Sequence, residues 1–118
     1  MRYMMLIKLD PAKAPEGGPN AELMEEMGKL IAEMTKAGVL IDTGGLAPLE
    51  ESSVLRLSGG KVTAVDGPFT EAKEIIGGYA LLQTKTRDEA VEWSTRFLLI
   101  HGDAWEIGLE VRAVEEAE

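Results

Sequence analysis

"RYMMLIKL", residues 2–9, is the stretch whose reading decides the fold. In an extended chain successive side chains point to opposite faces. Here Tyr3, Met5 and Ile7 form one apolar row, and Met4 and Leu6 begin another. A strand with one wet face would alternate apolar and polar residues instead. The run is also far too short for a signal-peptide core or a membrane span. It therefore reads as a β-strand that needs cover on both sides. "YALL", residues 79–82, shows the same two-sided character within the strand "GYALLQT" (78–84).

Working outward, "PAKAPEGGP" (11–19) holds three prolines and two glycines and reads as a loop. A helix follows over 20–37, with Asn20 as N-cap and Gly38 as its stop. Leu23, Met27, Leu30, Ile31 and Met34 recur at helical spacing with Met24 widening the stripe, while Glu25, Lys29, Glu33 and Lys36 fall opposite. "VLIDTGGL" (39–46) is a second strand, in which Gly44 and Gly45 mark a bulge or a close backbone approach. "SVLRLSGGKVTAVD" (53–66) reads as a hairpin about Gly59-Gly60. Its pairing sets Leu57 opposite Val62 and Leu55 opposite Ala64 on one face, with Arg56 and Thr63 on a wet one. Thr86 and Glu89 form a capping box for a second helix over 87–99, whose apolar side holds Ala90, Val91, Trp93, Phe97 and Leu98. "WEIGLEVRAVEE" (105–116) alternates for most of its length and is the last strand.

The order is strand, helix, strand, hairpin, strand, helix, strand. Right-handed crossovers send both helices to one side, which predicts an α+β, ferredoxin-like antiparallel sheet with an extra β-hairpin. Two helices cover only one face of the two-sided strands. A second copy, sheet against sheet, covers the other, so the sequence predicts a homodimer. In the last strand Trp105, Ile107, Leu109 and Val111 share one face and Glu106, Gly108, Glu110 and Arg112 the other. If the first face meets the helices, Glu110 and Arg112 point into the dimer, paired with each other or with a ligand.

The chain of 118 residues suits a single domain, 1–118. It has no cysteine, which excludes disulfides and thiolate chemistry and suits the cytoplasm. A net charge of -9 repels nucleic acid and anionic membrane. No complete catalytic, metal or phosphate-binding motif appears, and nothing asks for a cofactor. His101 beside Gly102-Asp103 reads as a loop that ends the second helix rather than as a general base. Asp66, Glu71 and Glu74 offer oxygen ligands without metal-site spacing.

"DGPFTEAKEIIGGY" (66–79) does not read as ordinary amphipathic packing. One reading is structural: Pro68 holds Gly67 extended, Phe69 anchors, Thr70 caps a short helix and Gly77 ends it before the strand resumes at Gly78. The other is functional. Asp66, Lys73, Glu110 and Arg112 converge on an apolar pocket lined by Met and Tyr79, with Asp66 as base or ligand contact and Arg112 as an anion anchor.

"DGPFTEAKE" closely resembles the signature of the DGPF proteins in the YCII-related family, usually DGPFxETKE. Asp66, Gly67, Pro68, Phe69, Glu71, Lys73 and Glu74 match, and Ala72 stands where Thr is common. "AGVL" (37–40), "GLAP" (45–48), "GGY" (77–79) and "EVR" (110–112) also look like family positions. The resemblance implies a bacterial, dimeric α+β barrel whose biochemical role is generally unassigned. Some members are fused to or encoded beside extracytoplasmic-function sigma factors, which implies a sigma-factor-related partner. The wider group is proposed to be enzymatic through a His and an Asp in a cleft, but the first helix here carries no His. Two functions stay open: a small-molecule-binding protein, catalytic without a cofactor or not catalytic at all, and a regulatory interaction module.

Overall fold

The computed structural model describes residues 1–66 and 74–116. Strand β1 (Arg2–Leu9) is hydrogen-bonded on both edges, to β5 and to β6, and so lies inside the sheet. Helix α1 (Ala21–Lys36) leads to the edge strand β2 (Leu40–Gly45). The hairpin β3 (Ser53–Ser58) and β4 (Lys61–Asp66) forms a separate two-stranded ribbon. Strand β5 (Ile75–Gln83), helix α2 (Arg87–His101) and strand β6 (Gly108–Ala113) complete the chain. The main sheet has the order β2-β5-β1-β6, and every pairing in it is antiparallel. This is the expected α+β, ferredoxin-like sheet with the hairpin inserted between β2 and β5.

The core lies between the sheet and both helices. Tyr3 and Met5 face Leu82 and Ala80 across the β1–β5 ladder, and all four are buried with Leu30, Met34, Ala90 and Phe97. Leu109 and Val111 from β6 pack on the same side. Asn20 caps α1 by accepting the Leu23 N–H at 2.8 Å. At its other end Gly38 adopts φ +73°, so that Gly38 N–H reaches Thr35 O and Val39 N–H reaches Met34 O. That pair of bonds is a Schellman closure, which turns the chain directly into β2.

The structure narrows or moves several expected features. Met24 and Ile31 are exposed, because α1 turns a narrower stripe inward, with Leu23, Leu30 and Met34 buried and Met27 half-buried. Glu89 completes its cap by accepting the Lys85 N–H at 2.8 Å, one residue earlier than a standard capping box, while Thr86 accepts from Glu89 N–H. Helix α2 continues to His101, which is thus its last residue and not a loop residue. Residues 103–105 form a 3-10 turn, with Glu106 at φ +47°, so β6 starts only at Gly108. Apolar alternation at Trp105 and Ile107 therefore mimics a strand where the backbone turns.

Gly77 and Gly78 lie inside β5 and do not end a helix. Ile7 pairs with Gly78 and Lys8 with Ile76, leaving Gly77 as a bulged extra residue. A Cβ at Gly78 would lie 3.0 Å from Gly44 O and 3.1 Å from the Ile7 side chain, so close strand packing requires glycine there. Gly67, Pro68, Phe69 and Lys73 lie outside the described residues, as does the expected cap at Thr70.

Leu82 is 0 % exposed at the centre of this core. Leu82→Ala is expected to lower unfolding free energy by about 2–5 kcal/mol in urea titration with an unchanged m-value. Leu99→Ala, at a site 75 % exposed, should stay within about 0.5 kcal/mol of the parent.

Candidate functional site

The sheet face turned away from the helices collects the side chains that the core does not use. Pairing places Leu6 between Tyr79 and Glu110, and Met4 between Leu81 and Arg112. Met4, Leu6, Tyr79 and Leu81 are half-buried, and among the described residues both helices pack on the opposite face. An apolar centre is thus bordered by charges on β6 and, on the other flank, by β2.

A slip in the β2–β5 ladder determines what β2 contributes. Leu40 pairs with Leu82 and Asp42 with Leu81, so Ile41 is the extra residue. Without that bulge Asp42 would point to the helix side, because register shifts of one residue exchange the two faces. With it, Asp42 Oδ2 accepts the Tyr79 hydroxyl at 3.0 Å. Gly44 makes room for the ring, since a Cβ there would sit 3.0 Å from Tyr79 Cε1. Thr43 Oγ1 donates to Tyr79 O at 2.9 Å and ties the two strands again.

Four charged groups alternate in sign across the other flank. Lys8 Nζ lies 3.2 Å from Glu74 Oε1 and 3.9 Å from Glu110 Oε1, and Arg112 Nε lies 3.6 Å from Glu110 Oε2. Glu110 therefore bridges both bases, and Glu110 and Arg112 pair with each other as one of the two expectations had it. All four are solvated here, where such pairs contribute at most about 1 kcal/mol each. The Arg112 side chain is 70 % exposed, and among the described residues its contact with Glu110 is through Nε, which engages one of its five N–H donors.

Asp66 ends β4 at the root of the hairpin, where it accepts the Ser53 hydroxyl at 2.5 Å. Among the described residues it forms no ion pair with Arg112. Tyr79, Glu110 and Arg112 do share the open face. Lys8 and Asp42 were not legible as site residues: Lys8 looked like the polar end of a strand, and Asp42 depends on the bulge. Glu74 was visible only as a motif position.

His101 stands elsewhere, in the helical layer. Its Nδ1 lies 2.9 Å from Phe97 O and so carries the proton, and its ring centre lies 4.5 Å from the tilted Phe97 ring and 5.7 Å from Trp105, which it meets edge to face. A cavity of about 340 Å³ between the start of α1 and the end of α2 is lined by His101, Trp105, Glu22 and Glu26. Among the described residues no three His, Asp or Glu side chains are grouped to hold a metal ion, and no helix is long and apolar enough to cross a membrane.

The hydrogen bond to Asp42, its negative charge and partial burial raise the Tyr79 phenol above its ordinary 10.0. A raised folded value favours the protonated form, so this pair's support for the fold is complete below about pH 10 and is lost as pH rises through the folded value. Asp42→Asn is expected to bring the Tyr79 transition down toward pH 10.0, read as phenolate absorbance by difference from Tyr79→Phe. An unchanged transition would show that Asp42 does not hold the hydroxyl.

An uncharacterized protein of Rhizobium meliloti (strain 1021) is 31 % identical over 72 residues, which cover 61 % of this chain and 58 % of the relative. The aligned part is thus less than two-thirds of that relative's own length. The sequence profile of the YCII-related domain matches residues 1–115, nearly the whole length, and the chain belongs to the YCII-related family.

Proposed function

We propose that the protein is a homodimer whose helix-free sheet faces meet and enclose a site for a small molecule bearing an anionic group. The observation that carries this reading is the open face itself: Met4, Leu6 and Leu81 form an apolar floor, bordered by Tyr79 with Asp42 and by the Glu74, Lys8, Glu110 and Arg112 series. Ligand sites combine apolar walls with a few convergent polar groups in this way. Arg112 supplies free guanidinium donors for a carboxylate or phosphate, as an anion anchor does. In the dimer Asp66, at the hairpin root, borders the same space as the candidate base, and Lys73 is a further ligand contact. The site works without a resident cofactor, and its reaction, where it has one, is acid–base.

A non-catalytic interaction module, with a sigma-factor-related or other protein partner, is the second reading. The observation that favours it is the exposed apolar hairpin. A thermal-shift screen with small carboxylates and phosphates separates the two. At a ligand concentration of 100 Kd the first reading expects stabilisation of about 2.7 kcal/mol, roughly 10 °C for a domain of this size. Arg112→Gln and Asp66→Asn should keep the unliganded melting temperature within about 2 °C, as surface substitutions do, and lose most of that gain. A flat response across the library would reject the small-molecule site and favour the second reading.

A further inference from the structure

The β3–β4 ribbon is built as if for contact that the described residues of its own chain do not provide. Leu55, Leu57 and Val62, 67 %, 71 % and 61 % exposed, line one face together with Ala64. Val54 and Val65 are exposed on the other face beside Arg56 and Thr63, so the ribbon is wet on both sides in a single chain and not on one. Gly59 and Gly60, at φ +58° and +77°, close it with a tight turn. Among the described residues the two strands pack substantially only on each other. An isolated two-stranded ribbon is at best marginally stable in water, so this one requires a surface to lie on. The Cα radius of gyration is 16.3 Å, against about 13.5 Å expected for a compact domain of this length.

Resting on the homodimer proposed above, we infer that this ribbon is an arm that clasps the body of the second copy. Area is the first reason. Four strands about 4.8 Å apart and about 22 Å long give the open sheet face a footprint of roughly 400 Å². A stable interface needs about 800 Å² from each partner, and the apolar arm supplies the missing share. Charge is the second reason. The arm carries two bases, Arg56 and Lys61, and one acid, Asp66, whereas the rest of the chain carries ten bases and twenty acids. An apolar, net-basic arm on an acidic body is complementary to a second copy of that body. Continuity is the third, because the arm is inserted between β2 and β5, the adjacent strands at one side of the open face.

Since the chain has no cysteine, Leu57→Cys and, separately, Leu99→Cys each give one thiol for a labelling reagent. Both parent side chains are exposed in the single chain. Sedimentation of the same samples gives the oligomeric state. In the dimer the Leu57→Cys thiol is expected to label at least about tenfold more slowly than the Leu99→Cys thiol, with the difference vanishing on dilution to monomer. The double variant Leu55→Lys, Leu57→Lys should keep the monomer's circular dichroism and weaken association about a hundredfold or more. A dimer with equal labelling rates overturns the arm and leaves the sheet-to-sheet reading intact, with the hairpin free for another protein. A wild-type monomer at every concentration overturns both.

Discussion

Strand β1 is bonded on both edges and apolar on both faces, yet both described helices, α1 and α2, cover the same face. The rest of the molecule follows from that imbalance. Tyr3 and Met5 anchor the core by meeting Leu82 and Ala80 under α1 and α2. Met4 and Leu6, between them in the same eight residues, are left facing out. An antiparallel sheet tolerates water on one face, but polar side chains then occupy that face. Here its centre is apolar and only its borders are charged, the pattern of a surface that is covered in use.

The borders are organised rather than merely polar. Glu110 sits between Lys8 and Arg112, and Glu74 extends the series on the far side of Lys8. In one solvated chain these pairs add little stability. Covered by a partner, the same groups lose water, their interactions strengthen, and any donor left unpaired becomes a strong demand for a ligand. Tyr79 is the counterpart on the opposite flank. Its hydroxyl is committed to Asp42 and its ring lies against Gly44, so it is a rigid, protonated wall at neutral pH. Arg112 is the group with spare donors.

Most of the fold was legible because its signals are local. Asn20 and Gly38 bound α1 as capping chemistry requires, and Gly59-Gly60 set the hairpin register residue for residue. Errors arose where periodicity outran the backbone. Trp105 and Ile107 continue the alternation of β6 through a 3-10 turn, and Gly77, which looks like a helix stop, is a bulge within β5. The site was only half legible. Glu110 and Arg112 could be assigned to the open face from alternation alone. Asp42 could not, since its side depends on the extra residue Ile41 in a pairing formed with a strand some forty residues later. The hydrogen bond by which Asp66 closes the hairpin through Ser53 depends on strand pairing and carries no local signal.

The central claim is that the open face is covered in solution, and the methionines report on it directly. Met4 lies on that face, Met5 points into the core, and Met24 is exposed on α1. Methyl resonances of the three, recorded with a soluble paramagnetic relaxation agent at a concentration where the protein is associated, rank their access to solvent in one spectrum. The account predicts that Met4 is protected nearly as well as Met5 and far better than Met24. Broadening of Met4 to the same extent as Met24 would contradict it.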